Sequence, residues 1–321
     1  GSMYTVAQVY FWSNHNRPTV IGATFISSYA ESLGVDPKET LSATLYDLGE
    51  KHLRLVRYWD AIEKKQGTYD FSDLDWQMNM AQAANIPVSL SLGLRQPRWP
   101  ECHMPRWALG TQKGVWYPQL KRFMTATIER YKDRPNLESY QLENEFFLSV
   151  FGECSDFSRD RLVDEAALVR QLDSSRKLII SRSNNAVGLP LGNPRPDEFG
   201  ISVYKRVWDK NITKRYYEYP FPAWFYGYLA GAGKLLTGKD MVIHELQTEA
   251  WVADGFNIKD APVEELYKSI DARRLKDRIE YGKATGMKNV DLWGVEWWYQ
   301  MKVKRGHPEL WDTARQELKK Y

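Results

Sequence analysis

At 321 residues, with 44 basic and 41 acidic side chains and a net charge of +3, the chain can bury a full core and has no charge excess to select nucleic acid as a partner. Its 13 Trp and 19 Tyr stand out; part of that excess fills the core, and the rest offers faces on which sugar rings can stack. Two cysteines, Cys102 and Cys154, are too few for a zinc site, and no stretch has the apolar length of a membrane span.

Gly1-Ser2-Met3 reads as a cloning remnant, which leaves residues 4–321 as one domain with no low-complexity linker or Pro/Gly-rich hinge inside it. An apolar stretch from Val6 to Trp12 precedes the first predicted strand, Thr19 to Thr24. A helix starting near Pro37 carries Leu41, Leu45 and Leu48 at helical spacing. The second strand, His52 to Trp59, ends in a basic and aromatic cluster that includes Arg57. A turn through Gly67 leads to a helix capped by Ser72 or Asp73 and running to Ala84. The third strand, Ile86 to Leu92, is apolar almost throughout, as a parallel strand buried on both faces should be.

A long loop follows from Arg95 to Gly114, holding Trp99, His103 and Trp107. A helix with Leu120, Phe123, Met124 and Tyr131 on one face stops at Asp133-Arg134-Pro135, and the fourth strand runs from Leu137 to Glu145. The helix of Leu162, Ala166, Val169 and Leu172 leads to a fifth strand, Lys177 to Ser181, and Gly200 to Tyr204 forms a sixth. The aromatic segment from Tyr216 to Leu229 is expected to open the next helix, ahead of a seventh strand, Met241 to Glu245. A helix from about Val263 to Ala284 precedes the eighth, Val290 to Trp293. Eight strand–helix units in one domain of this length predict an α/β fold, a single (β/α)8 TIM barrel. The rival, an open doubly wound sheet, usually carries a Gly-rich phosphate fingerprint that is missing here.

Functional groups of such a barrel sit at the C-terminal ends of its strands. Those ends offer Arg57, Asn144, Glu145, Tyr204 and Glu245, with Trp297 and Trp298 after the last strand. Two glutamates ending strands four and seven, with no metal-ligand cluster and no Ser/His/Asp order, suggest cleavage of a glycosidic bond. Taken in order, this set resembles the retaining barrel glycosidases of glycoside hydrolase clan A, in which an Asn-Glu pair ends strand four and a glutamate ends strand seven. The segment from Trp59 to Asp75, with Gly67-Thr68-Tyr69-Asp70-Phe71, resembles the second unit of the clan's β-galactosidase-like and cellulase-like branches.

The resemblance implies a retaining β-glycosidase acting on an oligosaccharide or glycoside, with no cofactor and no metal. It implies that Glu145 is the acid/base and Glu245 the nucleophile, with carboxyl groups about 5–5.5 Å apart. Asn144 would donate to the sugar's 2-hydroxyl, Tyr204 and Arg57 would bond or counter-charge the nucleophile, and Trp297 would form the floor under the cleaved sugar. Trp251 is the next aromatic platform candidate. Glu249 is the alternative nucleophile, whereas Glu143 points to the opposite face of its strand.

The rival function is a catalytically silent carbohydrate-binding barrel. The run Tyr216 to Tyr226 reads as a helix packed on the barrel in preference to a ridge for a membrane surface or a long substrate. His103 and His244 read as hydrogen-bonded bystanders, and the two cysteines as reduced ones in preference to a loop-pinning bridge. The compartment is extracellular or cell-surface if a signal segment precedes the chain and cytoplasmic otherwise.

Overall fold

The structure is a computed structural model that describes residues 1–184 and 190–321. Eight parallel strands close into a barrel: β1 (Val20–Phe25), β2 (Leu53–Leu55), β3 (Val88–Leu92), β4 (Leu137–Leu142), β5 (Lys177–Ser183), β6 (Glu198–Val203), β9 (Asp240–Gln247) and β10 (Asn289–Trp293), in the order β1-β10-β9-β6-β5-β4-β3-β2. The remaining strands, β7 (Arg206–Asp209) and β8 (Arg215–Glu218), form a separate antiparallel hairpin. The expected (β/α)8 barrel is therefore the fold. Every residue of β2, β3 and β6 is buried, as expected of parallel strands covered on both faces. Around this frame the chain forms two compact units, Gly1–Leu53 with Ser202–Tyr321, and Arg54–Ile201.

In the first unit, α1 (Ser2–Asn14) packs on α8 (Ala223–Thr237) at small residues. A side chain on Gly227 would come within 2.5 Å of the Phe11 ring, so only glycine permits that approach. Helices α2 (Ser27–Ser32) and α3 (Pro37–Ala43) follow β1, and Asp36 caps α3 by accepting from the Glu39 N–H at 2.8 Å. The long helix expected near Pro37 changes to a π-helical turn over Thr44–Leu48. The helix expected from Val263 is split into α9 (Val263–Leu266) and α10 (Ala272–Ala284), the latter capped by Asp271. Helices α11 (Val295–Arg305) and α12 (Glu309–Leu318) complete the unit.

The expected helix start at Tyr216 is corrected. Tyr216 to Glu218 belong to β8, whose hairpin is closed by the Asp209 carboxylate accepting from the Asn211, Ile212 and Thr213 N–H groups. Pro220 and Pro222 keep the residues before them, Tyr219 and Phe221, out of the helical region, so α8 starts only at Ala223. Tyr226 is buried, Tyr216 donates to Glu265 at 2.6 Å, and Phe221 stacks on Phe225 at 4.6 Å, so most of this aromatic run is packed within its unit.

The same unit buries a polar cluster: His52 Nδ1 meets Asp291 at 2.6 Å, and His244 Nδ1 lies 4.0 Å from it. Beside them Glu50 is buried, and neither carboxyl oxygen has a hydrogen-bond partner among the described residues. Burial first, then the Asp291 charge, pushes the Glu50 acid well above its usual range. The folded state thus holds a proton that the unfolded chain releases, and stability is lost as pH rises above the unfolded value of 4.5. Glu50→Met is expected to stabilise the protein by about 1–3 kcal/mol at pH 7, with the gain fading toward pH 4. Urea unfolding at the two pH values checks this.

In the second unit, β2 stops at Leu55, short of the expected Trp59, because Trp59 already begins the single turn α4 (Trp59–Ile62). Helices α5 (Ser72–Ala83), α6 (Lys113–Tyr131) and α7 (Arg159–Leu172) follow their strands as read from the sequence. The cysteines are not reduced. Cys102, in the loop after β3, and Cys154, in the loop after β4, approach to 5.3 Å between Cα atoms and are joined as a disulfide.

Candidate active site

Two clusters of strand-end side chains, one in each unit, hold Asn144 and Glu145 and, separately, Tyr204, Glu245 and Trp251. In the second unit, Asn144 and Glu145 lie just beyond β4 rather than inside it, in a turn where Glu143 and Glu145 both have left-handed backbones (φ 53° and 46°). Such a conformation costs about 1–3 kcal/mol per residue and survives only where the surroundings dictate it. Glu143 supplies that constraint. Its carboxylate accepts from the Leu94 and Arg95 N–H groups at 2.8 and 2.7 Å and pairs with Arg161 at 2.9 Å. Gly93 (φ 110°) makes the room, since a Cβ there would stand 2.4 Å from the Glu143 Oε1.

The Asn144 amide is oriented without ambiguity. Its Oδ1 accepts from Arg54 Nη2 at 2.9 Å and from Gln141 Nε2 at 3.2 Å. Arg54 can only donate, so the oxygen must face it and the NH2 must face away, where it reaches Glu101 Oε2 at 3.4 Å. Arg54 also donates to Gln141 Oε1 at 2.6 Å, and Gln141 donates to Ser181 Oγ at 2.9 Å. Ser181 Oγ in turn accepts the Glu145 backbone N–H at 3.1 Å. β2, β4 and β5 thus hold the Asn-Glu turn through one buried polar chain.

Arg57 takes no part in that chain. It lies beyond β2, half-buried, with its Nε 3.3 Å from Asp73. The arginine that reaches Asn144 is Arg54, the middle residue of β2; a polar residue flanked by two leucines was the available signal. His103 is a hydrogen-bonded bystander, with Nε2 3.1 Å from the Arg98 carbonyl oxygen and its ring stacked on Tyr58 at 3.6 Å. Burial holds its imidazole down at about 4.

In the first unit, Glu245 lies near the end of β9, buried, and its Oε2 accepts from the Tyr204 hydroxyl at 2.7 Å. The Tyr204 ring meets Trp251 edge-to-face at 5.9 Å, and Trp251 is 37% exposed, so the indole keeps an open surface. Gln247 fixes the exit of β6: its Oε1 accepts from the Lys205 and Arg206 N–H groups at 2.8 and 2.9 Å, and Arg278 braces it at 3.0 Å. Glu249 lies past β9 and accepts from the Tyr29 hydroxyl, while Glu296 accepts the Ile26 N–H at 2.7 Å.

Trp297 is placed differently from the expected sugar floor. It is on α11 and fully buried (0% exposed), with its indole N–H unpartnered among the described residues. A ring closed on both faces cannot stack a sugar. Trp298 is a strut, donating to the Thr248 carbonyl at 2.7 Å.

No protein-family model and no curated protein sequence matches the chain. Its fold is shared with solved glycoside hydrolases at low identity. A polyextremophilic β-galactosidase from the haloarchaeon Halorubrum lacusprofundi is 13% identical with a TM-score of 0.59, over 94% of this chain and 57% of that one. A GH5 enzyme from Bifidobacterium longum, in complex with Manβ1-4GlcNAc, is 10% identical with a TM-score of 0.59, over 86% and 68%. The native xylanase 10B of Thermotoga maritima is 13% identical with a TM-score of 0.57, over 99% of both chains. The chain therefore spans little more than half of the β-galactosidase and the whole length of the xylanase.

Proposed function

We propose that the chain is a retaining β-glycoside hydrolase that cleaves O-glycosidic bonds of an oligosaccharide or glycoside by double displacement. Glu145 is the acid/base and Glu245 the nucleophile. The observation that carries the reading is the Tyr204–Glu245 bond at the end of the seventh barrel strand. A buried carboxylate that accepts from a neutral hydroxyl is held in a fixed orientation at the strand end. The barrel shared with enzymes of families GH2, GH5 and GH10 supports the same reading.

In the first step Glu145 gives its proton to the leaving oxygen while a Glu245 oxygen attacks the anomeric carbon, forming a glycosyl ester. In the second, Glu145 takes a proton from water, which displaces Glu245 and restores both groups. Asn144, with its NH2 directed outward by Arg54, donates to the 2-hydroxyl, a contact that strengthens in the transition state. Trp251 offers its open surface to a neighbouring sugar ring.

The test is Glu145→Ala on a panel of aryl glycosides. Loss should be severe for poor leaving groups and mild for dinitrophenyl ones, which need no acid. Azide should then restore turnover and appear as a β-glycosyl azide. Wild-type rates in the variant, or no azide adduct, would remove Glu145 from this role.

A further inference from the structure

We propose that Glu101 is a positioning residue for this reaction: it anchors the Asn144 amide in the orientation that meets the sugar's 2-hydroxyl, with Arg95 as its buried counter-ion. The inference rests on the reading of Asn144 and Glu145 given above.

Backbone strain points to Glu101 first. Among the described residues six non-glycine positions have left-handed backbones, and four of them, Arg98, Glu101, Glu143 and Glu145, lie in the stretches 98–101 and 143–145. Strain so concentrated marks a functional constraint rather than a loop accident. The Glu145 stretch has its explanation above. The Glu101 stretch is as firmly held. Its N–H donates to the Arg98 carbonyl and its carbonyl accepts from Gln96, both at 2.8 Å. Gly152 lies against its side chain so closely that a Cβ there would stand 2.7 Å from Glu101 Cβ, and the next residue, Cys102, is bridged to Cys154. Loops from β3 and β4 are thus locked together with Glu101 at the junction.

What that lock presents is a carboxylate, 4% exposed, beside the Asn144 NH2. Glu145 is 6% exposed, so Glu101 is buried to about the same degree as the proposed acid/base. Arg95 is 1% exposed, and none of its guanidinium nitrogens has a hydrogen-bond partner among the described residues. Its nearest charge contact is Glu101, at 3.8 Å. A guanidinium is costly to bury without hydrogen bonds, and what this one supplies is positive charge behind Glu101. Of the two Asn144 amide hydrogens, one is taken by Glu101 and the other is left for substrate. At 3.4 Å that bond is at the long end of the range, and a hydroxyl that draws the amide closer to Glu101 would strengthen it.

The experiment compares wild type, Glu101→Ala and Glu101→Gln on the aryl glycoside turned over fastest and on its 2-deoxy analogue. Glu101→Ala should lower kcat about 10- to 100-fold, the usual cost of removing an orienting partner, with KM changed less than about threefold. Glu101→Gln keeps a carbonyl acceptor for Asn144 and should recover part of that loss. On the 2-deoxy substrate, which lacks the hydroxyl that Asn144 meets, all three proteins should have similar kcat. Equal losses on both substrates, a loss confined to KM, or no loss in a folded variant would overturn the proposal while leaving Glu145 and Glu245 in place. A wild type inactive on every glycoside would instead overturn the hydrolase reading, and this proposal with it.

Discussion

Glu245→Ala is expected to lower kcat on a dinitrophenyl glycoside by at least about 10³-fold, equivalent to about 4 kcal/mol of transition-state stabilisation. Leaving-group activation cannot rescue this variant, because the missing group is the one that attacks the anomeric carbon. Azide should enter from the face that Glu245 vacates and give an α-glycosyl azide, the opposite anomer to that formed by Glu145→Ala. The anomer therefore assigns the two carboxylates independently of rate. Tyr204→Phe, which removes the 2.7 Å hydrogen bond but leaves the carboxylate, should cost about tenfold. Glu249 accepts from Tyr29 in the same unit and is the competing carboxylate. Glu249→Gln is expected to stay within about tenfold of wild type. If the large loss and the α-azide follow Glu249 instead, the nucleophile has been misassigned.

Strand periodicity made the barrel legible, since β3, β4, β9 and β10 are short buried runs bounded by turns and polar helix starts. The positions of Asn144-Glu145 just past β4 and of Glu245 near the end of β9 could be read from the strand pattern, and their roles are the proposal made above. What was hidden depends on groups meeting across long sequence separations. Arg57 and Arg54 are three residues apart, and only the early end of β2 at Leu55 decides which one reaches Asn144. The Cys102–Cys154 bridge spans 52 residues, and nothing local to either cysteine announces it. Trp297 was misread because a Trp after the last strand is equally consistent with a rim platform and with a helix core. Its place on the buried face of α11 decides for the core. The β7–β8 hairpin was masked by its own aromatic richness, which suits a strand as well as a helix.

Arg161→Met should be among the most destabilising single changes in the second unit, by about 3–5 kcal/mol at pH 7–8. Arg161 is buried, and one of its nitrogens, Nη1, pairs with both Glu143 at 2.9 Å and Glu165 at 2.7 Å. Methionine fills the aliphatic volume but leaves two fully buried carboxyl groups without a counter-charge. Burial first, then the Glu143 charge, already pushes the Glu165 acid well above its ordinary value of 4.5, and Arg161 opposes that rise. Without Arg161 the Glu165 acid rises further. The folded variant then holds a proton that the unfolded chain releases, so its stability is fullest below pH 4.5 and is lost as pH rises through the folded value. The difference between variant and wild type should therefore be greatest at pH 8 and shrink toward pH 5, as read by urea unfolding. A difference under about 1 kcal/mol at both pH values, or one that grows toward acid, would contradict this assignment. Because Glu143 also holds Leu94, Arg95 and the left-handed turn before Glu145, the variant should lose activity at temperatures well below its unfolding midpoint. That separation of inactivation from unfolding would show that the buried Glu143–Arg161–Glu165 cluster sets the position of the proposed acid/base as well as the stability of the unit.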